Sequence, residues 1–538
     1  MAPKVKVAAL PSTMKELKDT LWKAADKLRG SMDSSQYKDV ILGLVFLKYV
    51  SDAFDERREQ SRAELGTGGY DAEQIELLID DVDEYTGRRV FWVPERARWS
   101  YIAENAKGLQ AAAGEPGKQV GQLIDEAMDL IMTANPTLAA TLPRIYNRDG
   151  VDQRRLGELL DLFNSARFTG EGSTKARDLL GEVYEYFLEK FAKAEGKRGG
   201  EFYTPAGVVR VLVEMLEPTR GRVYDPCCGS GGMFVQAEKF LEHNHKEGSE
   251  LSVFGQELNE RTWRMAKMNL AIHGLNGNLA TRWGDTFARD QHPDMQADYI
   301  LANPPFNIKD WARNEQDPRW RYGVPPTGNA NYAWMQHIIS KLAPGGTAGV
   351  VMANGSMSSN SGGEGEIRAQ FVEADLVTCM VALPTQLFRS TGIPVCTWFF
   401  AKDKTAGEKG NIDRTGQVLF IDARNLGTMV DRAERTLTDD DIAKITGTYH
   451  AWRGTTSATD AGLTYADEPG VAYSASLAEI KAADYALTPG RYVGAAEAEE
   501  DAEPIDEKIA RLSVELFAQF DESERLAAVV REQLGRVS

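Results

Sequence analysis

Apolar side chains at helical spacing dominate the first third of the chain. Between residues 37 and 54 they step by three or four positions, and similar patterns run through 121–132 and 154–166. The first helix carries them at Val40, Ile41, Leu44, Leu47 and Val50. The aromatic stretch Phe91–Pro94 is expected to form a packed loop. The pattern predicts an all-α N-terminal domain that ends at the glycine- and serine-containing segment 169–173.

From about residue 170 to residue 490, short apolar runs alternate with helical patterns. One helix is predicted over Leu180–Phe191, before the glycine-rich break at 196–200. The runs with the character of strands are Arg222–Asp225, Ser252–Gln256, Tyr299–Ala302, Ala348–Met352, Leu376–Leu383 and Val395–Ala401. This alternation predicts an α/β fold with a doubly wound, parallel sheet covered by helices.

A last helical pattern follows Pro504. Its apolar seam runs through Ile505, Ile509, Leu512, Leu516, Phe520, Leu526 and Val530, interrupted by Ser523. The acidic, linker-like segment Glu497–Glu503 leads into it. The helix either packs against a partner, which we favour, or folds back on its own domain. The chain is thus divided into residues 1–168, 169–490 and 491–538.

Composition limits the classes of function. The 538 residues carry a formal net charge of −18, whereas nucleic-acid binding usually rests on a basic surface that displaces phosphate counterions. DNA is therefore either not the substrate or held mainly by a partner. Four cysteines without zinc-ligand spacing predict no disulfide framework and no metal site. Without a signal-peptide pattern or an apolar run near the ~20 residues that cross a bilayer, we expect a cytoplasmic protein with no membrane contact.

A glycine-rich turn follows the first predicted strand. Asp225 ends that strand, and the run Gly229, Ser230, Gly231, Gly232 precedes a helix that begins near Met233. Glycines let the backbone approach a ligand closely, and ligands in such sheets bind beyond the carboxyl ends of the strands. The missing Lys-Ser/Thr pair excludes a phosphate-binding P-loop. A tight turn without a ligand is the alternative.

Three further segments extend this candidate site. Glu257 ends the next strand, where a carboxylate can accept both ribose hydroxyls of a nucleoside, unless it is a solvated strand end. Asp285, in Gly284–Phe287, suits an adenine amine or the N-cap of a helix. The upstream segment is Glu201, Phe202, Tyr203, Thr204, Pro205 and Ala206. It either closes over the amino-acid end of a cofactor or forms a packed helix entry capped by Thr204.

The catalytic candidate is the tetrapeptide Asn303, Pro304, Pro305 and Phe306, directly after a strand. An adenine amine is a poor nucleophile because its lone pair is delocalised into the ring. The Asn303 side-chain oxygen and the Pro304 carbonyl can accept its two hydrogens, and the prolines stiffen the loop that carries them. Phe306 offers a face on which a base swung out of the duplex can stack. Neither a metal nor a covalent nucleophile is needed.

These motifs resemble those of the modification subunits of type I restriction–modification systems, which are SAM-dependent (S-adenosylmethionine-dependent), adenine-specific DNA methyltransferases. The resemblance covers nearly the whole chain: Leu21–Tyr49 is similar to the helical N-terminal domain of that family, and Thr391–Pro394 to a later segment. It implies transfer of a methyl group from SAM to the N6 amine of adenine in DNA. It also implies cofactor contacts at 201–206, Ser230–Gly232 and Glu257, and catalysis at 303–306.

The same resemblance implies partners. Such subunits pair with a specificity subunit that reads DNA, in assemblies of two methyltransferase subunits and one specificity subunit, and a motor-nuclease subunit completes the restriction complex. The acidic charge fits a subunit that leaves DNA recognition to its partner, and the C-terminal seam offers a surface for that partner. Three alternatives stay open: N4-cytosine methylation, methylation of protein glutamine, and a non-catalytic assembly subunit.

One local stretch just past the catalytic loop interleaves cations and aromatic rings. Its members are Lys309, Trp311, Arg313, Arg319, Trp320, Arg321 and Tyr322. Stacking and phosphate contact there would help to hold an extruded base. A solvated, partly disordered loop is the alternative, because Asp310, Glu315 and Asp317 dilute the charge.

Overall fold

The structure is a computed structural model of the chain. It describes residues 18–19, 21–23, 26, 34–110, 117–165, 176–195, 204–243, 250–388, 393–432, 434–494, 513–514, 516–527 and 530.

The N-terminal region is helical, as predicted. Its helices are α1 (Ser34–Thr67), α2 (Ala72–Leu78), α3 (Val82–Thr86), α4 (Trp99–Glu104), α5 (Val120–Ala134) and α6 (Gln153–Ser165). Every side chain from Val40 to Val50 is buried, and Lys48 pairs with Asp52 within helix α1. The predicted packed loop is confirmed, since the ring of Trp92 lies 5.4 Å from that of Phe54 and 5.2 Å from that of Tyr85.

Helix α7 (Ala176–Glu195) joins the two regions. Its buried residues Val183, Tyr184 and Phe187 share one hydrophobic core with α1 and with Met265 and Met268 of the α/β region. The predicted boundary near residue 168 lies outside the described residues, and in space α7, which follows it, belongs to the N-terminal core.

The α/β region is built on a nine-stranded sheet. Its strands are β1 (Arg220–Asp225), β2 (Glu250–Gly255), β3 (Gly277–Asn278), β4 (Ala297–Ala302), β5 (Leu342–Ala353), β6 (Val377–Ala382), β7 (Val395–Ala401), β8 (Gln417–Asp422) and β11 (Ala472–Ser476). Two short strands, β9 (Thr428–Met429) and β10 (Arg435–Thr436), form a separate hairpin. The order in the large sheet is β11-β8-β6-β7-β5-β4-β1-β2-β3. All six predicted strands are present.

The prediction of a parallel sheet is wrong for two strands, β7 and β11. Strand β7 runs antiparallel to both β5 and β6, and β11 runs antiparallel to β8. Parallel neighbours need a crossover, usually a helix, and the described residues between β6 and β7 form none. The strands from β3 to β5, which carry the candidate motifs, are parallel as expected.

Helices cover both faces of the sheet. They are α8 (Ala206–Leu216), α9 (Gly232–His243), α10 (Glu260–Ile272), α11 (Asn331–Lys341), α12 (Glu364–Glu373), α13 (Asp439–Arg453), α14 (Thr456–Asp460) and α15 (Leu477–Ala482). Neighbouring residues of one strand point into different cores, with Val223 among α8, α9 and α13 and Tyr224 among α11 and α12. The doubly wound fold is thereby confirmed. Within the described ranges, no helix is both long and apolar enough to cross a membrane.

The C-terminal seam is exposed where it is described. Residues 516–527 are helical, and the side chains of Leu516, Phe520, Leu526 and Val530 are each about half exposed. The remaining seam positions, Ile505, Ile509 and Leu512, lie outside the described residues.

Candidate active site

A cavity lies at the carboxyl ends of β1 and β4, with about 710 Å³ of empty space when the adjoining open solvent is included. Its walls include many of the residues predicted from sequence, namely Thr204, Ala206, Asp225, Gly229, Ser230, Gly232 and Asn303. Parallel strands deliver their carboxyl ends to one edge of a sheet, so residues a hundred positions apart meet here. Glu201, Phe202 and Tyr203 lie outside the described residues.

The glycine-rich turn has a backbone that only glycine adopts readily. Gly229 and Gly231 have φ angles of 52° and 79°. The turn is held by Cys228 N–H, which donates to Gln256 O at 2.9 Å, and by Gly231 N–H, which donates to Cys228 O at 2.8 Å. A Cβ added to Gly232 would meet no atom within 4 Å. The turn thus leaves open space beside its backbone for a ligand.

Two buried carboxyl groups support this turn. Asp225 accepts from the N–H of Cys227 at 3.0 Å, and burial raises its pKa to about 7. Glu257 accepts from Gly229 N–H at 3.1 Å and from Asn259 N–H at 2.8 Å, and burial raises its pKa. Glu257 is only 5% exposed and is therefore not a solvated strand end. It lies against the turn rather than on the cavity wall.

Asp285 caps a turn. Its Oδ1 accepts from the N–H groups of Phe287 and Ala288, at 2.7 and 3.2 Å, and residues 286–288 form a turn rather than a helix. Gly284 N–H donates to Glu257 O at 2.8 Å, which ties this segment to the end of β2. Asp285 is therefore next to the candidate site through Glu257, without lining the cavity.

Asn303 presents an unsatisfied acceptor. Its Nδ2 donates to the hydroxyl of Thr204 at 2.9 Å, which fixes the orientation of the amide. Its Oδ1 is buried, and no described residue donates a hydrogen bond to it. A buried acceptor that lacks a hydrogen bond costs about 1–3 kcal/mol of stability. Such an atom is therefore expected where a ligand donates the missing hydrogen bond.

Thr204 does not have the predicted capping role. The N-cap of α8 is Pro205, and no side chain makes a cap hydrogen bond there. The hydroxyl of Thr204 is used by Asn303 instead, so one side chain joins the segment before α8 to the catalytic candidate.

The loop after Asn303 is braced on both sides. Asn307 has a φ of 55°, and its side chain and backbone N–H exchange two 2.9 Å hydrogen bonds with the amide of Asn331. The half-buried ring of Phe306 meets that of Phe388 edge-on at 6.3 Å between centroids. Pro304 is buried and Pro305 is half-buried in the same loop.

The interleaved cations and aromatic rings past this loop mostly do not face a ligand. Trp311 and Trp320 are buried with Phe287 and Trp334 in one aromatic cluster. The guanidinium of Arg313 donates to the carbonyl of Pro325 at 2.8 Å. Neither base stacking by these tryptophans nor a solvated loop was therefore the right expectation. Lys309 and Arg321 remain exposed, and Arg319 is satisfied internally.

Three polar residues of the cavity wall were missed from the sequence: Glu185, Gln236 and Asn269. Burial alone would raise the pKa of Glu185, but hydrogen bonds and charges from His273 and Lys239 outweigh it and lower the pKa to about 2. Glu185 belongs to α7, so a helix of the N-terminal core forms part of the cavity. Its helical pattern carries no motif that would have marked it.

Comparison with known proteins gives two matches that together span most of the chain. The HsdM N-terminal domain matches residues 17–163, and the N-6 DNA Methylase family matches residues 175–501. The chain is 46% identical over 454 residues to the Type I restriction enzyme HindI methylase subunit of Haemophilus influenzae, covering 82% of this chain and 99% of that one.

Two further similarities agree. The MjaIX methylase subunit of Methanocaldococcus jannaschii is 39% identical over 533 residues, covering 96% of this chain and 91% of that one. The crystal structure of a type I restriction-modification methyltransferase subunit from Streptococcus thermophilus shares the fold, with a TM-score of 0.71, 24% identity and coverage of 89% and 100%. The chain therefore belongs to the N-6 DNA methylase family, as a methylase subunit of the type I restriction enzyme kind.

Proposed function

We propose that the cavity beside Thr204, Gly229–Gly232 and Asn303 is the place where this methylase subunit works. The reaction of the family is transfer of a methyl group from SAM to the N6 amine of adenine in DNA. The observation that carries the assignment is Asn303 Oδ1, a buried acceptor to which no described residue donates, in a side chain that shares a cavity wall with the glycine-rich turn.

The residues present fit SAM. The open turn at Gly229–Gly232 gives a backbone surface, and two acidic side chains, Asp225 and Glu257, lie beneath it, which suits a cationic ligand when they are ionised. When bound, the cofactor supplies a methyl carbon made electrophilic by its positively charged sulfur. Among the acidic residues, Glu257 would serve the ribose hydroxyls and Asp285 the adenine amine of the cofactor, although both lie beside the cavity rather than on its wall.

The chain's own contribution to catalysis is orientation. Asn303 Oδ1 and the carbonyl of Pro304 accept the two hydrogens of the target amine, which draws its lone pair out of conjugation and toward the methyl carbon. Thr204 holds the amide so that Oδ1 rather than Nδ2 meets the amine. Phe306, braced by Phe388, stacks on the extruded base. After the methyl group has moved from sulfur to nitrogen, the methylated amine would lose one proton to solvent and the demethylated cofactor would leave as a neutral thioether.

Asn303→Ala tests this assignment. The variant should lose at least ~100-fold in methylation rate, the order expected when a preorganised polar contact to the reacting group is removed, and bind SAM as well as the wild type does. Asn303→Asp also tests the role of Asn303, because the carboxylate keeps an acceptor for the amine but loses the Nδ2 donor that bonds to the hydroxyl of Thr204. Normal turnover in the alanine variant would refute the role of Asn303.

DNA and the other subunits of a restriction–modification complex are the partners of this kind of protein. We further propose a specificity subunit, a motor-nuclease restriction subunit and a second copy of this chain as those subunits. The net charge of −18 supports this, because a partner must supply most of the DNA contact. The half-exposed seam in 516–530 supports a docking role for residues 491–538, beside the domains 1–168 and 169–490. We also propose a cytoplasmic location, which a DNA substrate supports.

No feature of the described residues favours N4-cytosine methylation, glutamine methylation or a non-catalytic assembly role. The intact Asn303 and Phe306 and the open cavity all suit a catalytic subunit.

A further inference from the structure

Every N–H group of the Arg319 guanidinium donates a hydrogen bond. Its Nε and Nη2 donate to the two carboxylate oxygens of Asp317, at 2.9 and 2.6 Å. Its Nη1 donates to Thr286 O at 2.9 Å and to His337 Nδ1 at 3.0 Å, and Nη2 donates to Phe287 O at 2.9 Å. A guanidinium has five N–H groups, and all five are matched here.

The two carbonyls that Arg319 holds belong to the residues directly after Asp285. Arg319 itself lies in the 307–330 excursion, which leaves the catalytic loop and returns where Ala330 N–H donates to Ile308 O at 3.1 Å. One side chain therefore joins the segment that follows the catalytic loop to the segment that carries Asp285. The aromatic cluster packs on the same junction, with Cys227 of the cofactor turn against it.

His337 accepts one of the hydrogen bonds of the Arg319 guanidinium and so helps to fix its position. It is fully buried, and burial together with the charge of Arg319 lowers its pKa to about 3, so its ring is neutral. Since an arginine only donates, Nδ1 is the acceptor and the proton sits on Nε2, which donates to the Tyr224 hydroxyl at 3.2 Å. Tyr224 precedes Asp225 on β1, which anchors the whole arrangement in the sheet.

We propose that Arg319 is a positioning residue for recognition of the cofactor's adenine ring. It sets the backbone of residues 286–287 so that Asp285 faces the cofactor's 6-amino group. Both hydrogen bonds that described residues make to the Asp285 carboxylate reach Oδ1, which leaves Oδ2 for that amine. The inference rests on the proposed function, in which Asp285 serves the adenine of SAM.

A pair of cofactor analogues tests it on the full-length chain. S-adenosylhomocysteine carries the 6-amino donor, whereas S-inosylhomocysteine carries a 6-oxo acceptor that a carboxylate repels. Calorimetry on the wild type should give at least ~10-fold tighter binding of the adenosyl form, the order of one charge-assisted hydrogen bond. Arg319→Lys should bring that ratio close to one, because lysine cannot reproduce the planar fork.

Arg313→Lys is the matched control. Arg313 lies in the same excursion and donates to Pro325 O and Glu315, and its side chain donates no hydrogen bond to the described residues 284–287. This variant should keep the wild-type ratio. Asp317→Asn is a second test variant, which loosens the clamp while Arg319 is retained, and it should lower the ratio by a smaller factor. With DNA and the partner subunits, Arg319→Lys should raise KM for SAM by ~10-fold with a smaller change in kcat.

The outcomes separate the inference from the function on which it rests. A wild-type ratio in both Arg319→Lys and Asp317→Asn overturns the inference and leaves the proposed site intact. Equal binding of the two analogues by the wild type overturns the assignment of Asp285, and the inference with it. If Arg319→Lys does not fold, Asp317→Asn decides alone. A loss of thermal stability with an unchanged ratio marks Arg319 as merely structural.

Discussion

The hydroxyl of Thr204 is the only described partner of the Asn303 amide, so replacing it should misorient the catalytic acceptor. In Thr204→Val the shape of the side chain is kept and the 2.9 Å hydrogen bond from Asn303 Nδ2 is lost. Neither the Nδ2 donor nor the buried Oδ1 acceptor of the Asn303 amide then has a hydrogen-bond partner among the described residues. The two orientations of the amide, which exchange Oδ1 and Nδ2, are no longer distinguished by a hydrogen bond. In the proposed mechanism, only the rotamer that presents Oδ1 to the target amine would support methyl transfer.

The size of the effect follows from the value of that hydrogen bond. A buried donor left unmade costs about 1–3 kcal/mol, and if that free energy is lost from the transition state the rate falls between about 5-fold and about 150-fold. The loss should appear in the single-turnover rate of methyl transfer at saturating SAM. Thr204→Ser keeps the hydroxyl and should stay within ~3-fold of the wild type.

The assay is transfer of a radiolabelled methyl group to DNA by the complex with its partner subunits. SAM affinity is measured in parallel by calorimetry, since Thr204 also lines the cavity. Equal single-turnover rates for the valine and serine variants would refute the orienting role. A rate that recovers fully when SAM is raised would move Thr204 from the catalytic amide to cofactor binding.

Three further outcomes are expected. Glu257→Ala should weaken SAM binding by at least ~10-fold in calorimetry while Glu257→Gln weakens it less, and an unchanged dissociation constant in the alanine variant removes Glu257 from the site. Because burial raises the pKa of Asp225 to about 7, its carboxylate loses charge as pH falls through 7, so affinity for cationic SAM should fall from pH 8 to pH 6 and Asp225→Asn should flatten that profile. Deletion of the residues after Pro504 should reduce co-purification of the specificity subunit without lowering SAM affinity; a complex that stays intact would show that the seam is not the docking surface.

The positions of the candidate motifs were predictable because they depend on strand ends. Asp225, Glu257 and Asn303 each follow an apolar run, and parallel strands bring such ends to one edge of a sheet. The antiparallel direction of β7 was not predictable, since its apolar run Val395–Ala401 is the same whichever way the strand is inserted. Periodicity reports burial, and it carries no information on strand direction.

The contacts that join distant segments were beyond sequence reasoning. Arg319 and Thr286 lie 33 residues apart, and nothing in either segment indicates that a guanidinium meets a carbonyl. Trp311 and Trp320 have the composition of a stacking surface, yet the rings of Phe287 and Trp334 bury them. Glu185 reaches the cavity only because α7 packs across the N-terminal core, which depends on tertiary packing.

The unsatisfied Asn303 oxygen explains why the surrounding structure is so firmly tied. A buried acceptor destabilises the resting fold, so it persists only where strong neighbours hold it, and here those are β4 inside the sheet, Thr204 on one side and the Asn307–Asn331 pair on the other. In the proposed mechanism the arriving amine would satisfy the acceptor, and the hydrogen bond would strengthen as nitrogen gains positive charge during methyl transfer. The free energy gained on arrival of the amine would tighten DNA binding, and only the further gain as the bond strengthens would raise the rate of methyl transfer.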